Sequence, residues 1–118
     1  MEKMRWSENE VLIRMVESLV DTVRDGRLTR FSLERVKWNF GLQPCTDLQS
    51  LMQEYQALRD TYRGLRPIWN ERNDMLFNWR VTMSRTYVVY TAMLDELLEL
   101  ILHRTSIVKR TIEIQMLI

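Results

Sequence analysis

From Pro67 to Ile118 the sequence contains no further glycine or proline, the two residues that most often interrupt a helix. Over this stretch Met75, Leu76, Trp79, Met83, Tyr87, Tyr90, Leu94, Leu97 and Ile101 return at the three-and-four spacing of one helical face. The pattern predicts one long helix, or two in near continuity. Thirty residues of helix span roughly 45 Å at about 1.5 Å per residue, longer than a compact domain of this size covers. Part of the helix is therefore expected to pack on something else. In the tail "TIEIQMLI", Ile112, Ile114, Met116 and Ile118 alternate as in a strand, while Val108, Ile112 and Met116 also fit a helix. Context favours helix, with a break near "HRTSIVK" where Thr105 or Ser106 could cap a final short segment.

The glycines punctuate the other half. In "WSENEVLIRMVESLVDTVRDG", Ser7 and Glu10 form a capping box, Leu12, Met15, Val16, Leu19, Val20 and Val23 share a face, and Gly26 supplies a left-handed stop. A shorter helix follows in "RLTRFSLERVKWNFG", capped by Thr29 or Ser32, with Phe31, Val36 and either Phe40 or Trp38 inward and Gly41 as its end. A third begins with the capping box Thr46/Gln49 and carries Leu48, Leu51, Met52, Tyr55, Leu58 and Tyr62 as one stripe, with Gly64 and Pro67 ending it. The fold expected is all-α: one helical domain, with a three-helix unit over residues 6–66 and a long helix over 67–118.

Composition narrows the function. The formal net charge of +1 is evenly shared, with 11 Lys/Arg against 10 Asp/Glu in residues 1–66 and 6 against 6 in residues 67–118, so neither half is a basic arm. Arginine outnumbers lysine 14 to 3, a bias suited to buried or interfacial ion pairs and to stacking on rings. Cys45 is the only cysteine, so no internal disulfide forms and an intracellular setting, nuclear if the protein serves a nuclear complex, is expected. No uncharged stretch exceeds nine residues, and "MEKMRWSENEV" lacks the apolar run of a signal peptide, so no membrane partner is expected.

Catalysis needs nucleophiles, bases or metal ligands brought together. His103 is the only histidine and reads as a solvated side chain on a helix. Cys45 precedes a helix N-terminus but reads as a small buried residue, and Asp95, Glu96 and Glu99 read as the wet face of the long helix. No phosphate-binding loop remains once each glycine is assigned to a helix end. The expectation is a non-enzyme without cofactor, metal or small-molecule substrate. Leu94, Leu97, Leu100 and Leu102 have the spacing of a leucine-rich export segment, although core or interface leucines produce the same pattern. Four tryptophans and eight methionines add aromatic and adaptable apolar surface of the kind found at interfaces.

"RWSENEVLIRMVES" resembles the first helix of Myb/SANT-like modules, including the MADF group of chromatin-associated proteins, and "CTDLQSLMQEYQALRDTYRGL" resembles their third. The residues carrying the likeness are Trp6, Leu12, Ile13, Trp38, Cys45, Leu58, Arg59, Asp60, Tyr62 and Arg63, within residues 6–66. The resemblance implies a trihelical fold whose third helix lies in the major groove. On that reading Arg59, Arg63 and Arg66 contact phosphates and Gln49, Gln53 and Gln56 read bases. Where the family carries Trp and a Lys/Arg-rich face, this chain has Gln49, Gln53, Glu54, Tyr55 and Gln56, a weak phosphate-binding surface. Protein binding is therefore favoured over nucleic acid: a homo-oligomer or a subunit of a nuclear or regulatory complex. Its expected contact face is Trp79, Met83, Tyr87, Tyr90, Leu94, Leu97 and Ile101.

Overall fold

The computed structural model describes residues 8–76 and 85–117. They form four helices and no strand: α1 (Glu8–Arg24), α2 (Arg30–Phe40), α3 (Leu48–Leu76) and α4 (Arg85–Leu117). The all-α expectation holds. Pairings between Glu54 and Arg104, Trp69 and Asp95, and Arg72 and Tyr87 run in opposite directions along α3 and α4, so the two long helices are antiparallel. Thr61 donates to the Val16 carbonyl at 3.0 Å, which fixes α1 along α3. On its other side α4 carries α2, through Glu96 and the Arg30 and Lys37 side chains. One apolar core results, built from Leu12, Val16, Leu19 and Val23 of α1, Leu33, Val36 and Phe40 of α2, and the inner faces of α3 and α4.

Local chemistry accounts for the helix ends. Thr29 caps α2 in a reciprocal box with Ser32, as one of the two expected candidates. Gly26 has φ 71°, the left-handed geometry that glycine adopts without cost. The cap of α3 is Asp47, one residue after the expected Thr46, because its carboxylate accepts from both the Ser50 N–H at 3.0 Å and the Ser50 hydroxyl at 2.8 Å. Those bonds also hold the Asp47 carboxyl below its ordinary pKa. Ser7 lies outside the described residues.

Three expectations about the helices are corrected. First, α3 continues through Gly64 and Pro67 to Leu76, so the boundary drawn at residues 66/67 falls inside a helix. Gly64 marks a close approach, not a stop: a Cβ there would lie 2.8 Å from Val20 Cγ2. Pro67 removes one backbone donor, but the carbonyl it would have met belongs to exposed Arg63, where water can replace it. Second, α4 is unbroken through "HRTSIVK", while its tail is helical as favoured. Thr105 and Thr111 bond back to the carbonyls of Ile101 and Ile107 instead of capping a new segment. Third, most of the apolar face of α4 is covered from within, since α3, at 29 residues, runs along it, while Ile114, Met116 and Leu117 at its end stay exposed.

The side of each short stripe also differs. Leu33, Val36 and Phe40 face the core from α2, while Phe31 and Trp38 are exposed. In α3 the inward set is Leu51, Glu54, Ala57, Leu58, Thr61 and Leu65, which leaves Leu48 and Met52 outward. No described helix is long and apolar enough to cross a membrane.

Replacing Gly64 by alanine should lower the urea midpoint. Overpacking against the stiff Val20 costs about 1–3 kcal/mol and exceeds the gain in helix propensity of about 1 kcal/mol. In a Val20→Ala background the same change should become neutral or stabilising; additive effects would refute the contact.

Candidate interaction surface

The face expected to bind a partner is occupied by the chain itself. Leu94, Leu97 and Ile101 are fully buried in the core between α4 and its neighbours. Tyr90 closes the α1–α2 corner: its hydroxyl donates to the Val23 carbonyl at 3.1 Å and accepts from the Leu28 N–H at 3.3 Å. Tyr87 donates to the Arg72 carbonyl at 3.2 Å, and the Arg72 guanidinium lies over both tyrosine rings, 5.1 and 4.4 Å from their centroids. A helical period identifies an apolar face but not what covers it. Trp79 and Met83 lie outside the described residues. The leucine-rich segment is closed by the same packing, with Leu94 and Leu97 buried, Leu100 half-buried and only Leu102 largely open.

At the heart of that face is a pair the charge pattern did not reveal. Glu54 of α3 and Arg104 of α4 are 1% and 2% exposed. Arg104 donates from Nε to Oε2 at 2.6 Å and from Nη2 to Oε1 at 3.1 Å, a two-pronged match of guanidinium to carboxylate. Its Nη1 reaches the carbonyls of Phe40 at 3.2 Å and Leu42 at 2.6 Å. The pair therefore ties α3, α4 and the end of α2 together. Beside it opens a hollow of about 350 Å³, lined by Glu8, Leu12, Cys45, Ser50, Glu54 and Arg104. Half-buried Cys45 has no second thiol to pair with, and His103 is exposed on α4. Among the described residues no group of His, Cys, Asp and Glu is arranged to hold a metal ion.

The residues suggested for DNA contact share the outward side of α3. Gln49, Gln53, Gln56, Arg59, Arg63 and Arg66 are all exposed. Two of the three arginines are turned onto rings of the same helix: Arg59 lies over Tyr55, and Arg66 lies over Tyr62 and Trp69 while donating to the Tyr62 hydroxyl at 3.0 Å. Gln56 donates to the Asp60 carboxylate at 2.8 Å, which places an anion in the row. Of the acidic set on α4, Asp95 accepts from the Trp69 indole and Glu96 from α2, so both join helices instead of only facing water.

Among the described residues the exposed aromatic rings are on α2, whereas the apolar side chains exposed elsewhere, such as Met52 of α3 and Met116 and Leu117 at the end of α4, are aliphatic. With Leu33, Val36 and Phe40 inside, residues at the opposite side of this helix must point outward, and these are Phe31 and Trp38, 73% and 75% exposed. Seven residues apart, they stand about 10.5 Å from each other along the axis. Trp38, one of the residues carrying the Myb/SANT-like resemblance, is thus a surface residue. The helix beneath is held firmly: the Thr29–Ser32 box fixes its start, and Glu96 accepts from Arg30 at 3.0 Å and Lys37 at 2.7 Å. Glu34 and Arg35 flank the ridge on its two sides. Glu34 lies 3.6 Å from Lys37 and 3.8 Å from Arg30, whereas Arg35 has no carboxylate within ion-pair reach among the described residues.

Hydrogen bonds from Lys37 and then Arg30 hold the Glu96 carboxyl below its ordinary value of 4.5. A depressed carboxyl stabilises the fold above its unfolded pKa and ceases to do so as pH falls through its folded one. Glu96→Gln should therefore lower the urea midpoint at neutral pH, and the gap to the parent should close below about pH 4.5; a gap independent of pH would refute the α2–α4 clamp. For the buried pair, Arg104→Met alone should cost about 3–5 kcal/mol by stranding the Glu54 charge, and Glu54→Leu with Arg104→Met should cost less than the single change. A double variant less stable than Arg104→Met would overturn that account.

Comparison with protein-family models, with curated proteins and with solved structures gave no match, so what this surface can bind must be argued from its own chemistry.

Proposed function

We propose that this protein is a non-catalytic interaction module, a subunit of a regulatory assembly inside the cell, and that α2 is its contact element. The observation that carries the reading is the ridge of Phe31 and Trp38, two large rings left in solvent on a helix that has buried every other large apolar side chain it carries. Tryptophan and arginine are enriched among the side chains that dominate binding energy, and here Trp38 stands beside Arg35. A helix already capped and clamped loses little conformational freedom on binding, which favours affinity from a small surface. The exposed rings are anchors, and the fold behind them is their scaffold.

Because Phe31 and Trp38 contribute little to the core, changing both to serine should leave circular dichroism and the thermal midpoint nearly unchanged, within about 0.5 kcal/mol. Quantitative affinity capture from cells that make the protein should then lose its specific partners with this double variant and keep them with Met52→Ser, an exposed apolar control on α3. The same proteins captured by both variants would sink the reading. A mixed-sequence DNA duplex supplies the opposite outcome: micromolar binding that collapses between roughly 50 and 200 mM salt and is abolished by Arg63→Glu would make α3 the functional element instead.

A further inference from the structure

Resting on that reading of α2, we infer that the ridge pairs with the same ridge of a second copy of this chain, the two α2 helices lying parallel about a two-fold axis. The inference comes from how charge is placed around the rings. At about 100° per residue, Glu34 and Arg35 lie roughly 50° to either side of the line through Phe31 and Trp38, at nearly the same height. A two-fold axis parallel to α2 exchanges left for right. It therefore sets Glu34 of each copy against Arg35 of the other, on both sides of the seam, while Phe31 meets Phe31 and Trp38 meets Trp38. An antiparallel pairing keeps each residue on its own side and brings Glu34 to Glu34 and Arg35 to Arg35. Only the parallel arrangement is electrostatically self-complementary, by the logic that sets partner and direction in helical pairs.

The partners are free to engage. Arg35 has no carboxylate of its own among the described residues, and Glu34 is the secondary neighbour of Arg30 and Lys37, both of which sit closer to Glu96. The rings stand well clear of the body, with about three quarters of each side chain open. Phe and Trp bury roughly 150–250 Å² each, so pairing four such rings removes on the order of 500 Å² from water. The flanking charged side chains bring the total towards about 1,000 Å², the low end of specific association. The dimer is accordingly a weak, reversible one.

Sedimentation equilibrium of the full chain, from roughly 5 to 500 µM, tests this with the same double-serine logic applied residue by residue. The expected result is a monomer–dimer equilibrium in the micromolar range that Trp38→Ser removes. Glu34→Arg and Arg35→Glu should each weaken dimerisation at least tenfold, and the two changes together should restore it to within a few-fold of the parent. That recovery is specific to parallel pairing, because in the antiparallel case the doubly changed chain still opposes like to like. A monomer at every concentration, a dimer indifferent to Trp38→Ser, or no recovery in the double swap would each overturn the inference. A monomer whose Phe31→Ser/Trp38→Ser variant nevertheless loses captured partners would overturn the second copy as occupant while leaving the interaction module standing.

Discussion

Arg104 reaches from the middle of α4 into a space that would otherwise hold an aliphatic side chain, and three separate parts of the protein have to supply its acceptors. Glu54 brings the carboxylate from α3, while Phe40 and Leu42 bring carbonyls from the end of α2 and the turn after it. A buried charge tolerates no partial solution, since an unpaired guanidinium in the core would cost more than the packing around it returns. The geometry at this point is therefore tightly specified. Once it is met, the register of α3 on α4 is set, the end of α2 is placed, and the opposite face of α2 is committed to the outside. The exposed ridge and the buried ion pair are two ends of one arrangement.

That link explains which parts of the protein were legible in its sequence. Helix existence was, because Thr29, Gly26 and the apolar periods act locally and leave the same signature in any context. The side each helix turns inward was not. On α2 two stripes compete, Leu33/Val36/Phe40 and Phe31/Trp38, and each carries a large ring; tertiary packing buried the first and left the second outside. On α3 the apparent stripe through Leu48 and Met52 is offset from the true one because a glutamate, Glu54, occupies a core position. A signal for it existed: a lone acid among Leu51 and Leu58 on one helix, and a lone base among Leu97, Ile101 and Val108 on another, read as an opposite-charge pair. Gly64 misled for a different reason, since a glycine needed for close approach is indistinguishable in sequence from one that ends a helix.

The candidate site was hidden by the same ambiguity. A long amphipathic helix in excess of what three short helices could cover pointed to α4 as the contact element. In the structure α3 extends through Pro67 and covers it, and Tyr87, Tyr90, Leu94, Leu97 and Ile101 become internal. The apolar period of α4 is used mainly inside the fold, while the rings of Phe31 and Trp38 on α2 stay in solvent. The arginine bias also finds a physical basis: Arg59, Arg66 and Arg72 lie over tyrosine or tryptophan rings and Arg104 forks onto a carboxylate, uses for which a lysine ammonium is poorly shaped.

The Tyr90 hydroxyl supplies both a donor and an acceptor to the backbone between α1 and α2, across 67 and 62 residues of sequence. Of those two groups the Val23 carbonyl also accepts from the Gly26 N–H at 3.1 Å, but the Leu28 N–H has no other partner among the described residues until α4 exists, and the carbonyls of Phe40 and Leu42 likewise wait for Arg104, 64 and 62 residues further on. During synthesis the first three helices would thus leave the ribosome with their corner open and their inner faces uncovered. Closure waits for the last third of the chain and then occurs at several places together. A protein built this way folds late and as one unit, and its N-terminal helices are most exposed to misassociation in the interval before the final helix arrives.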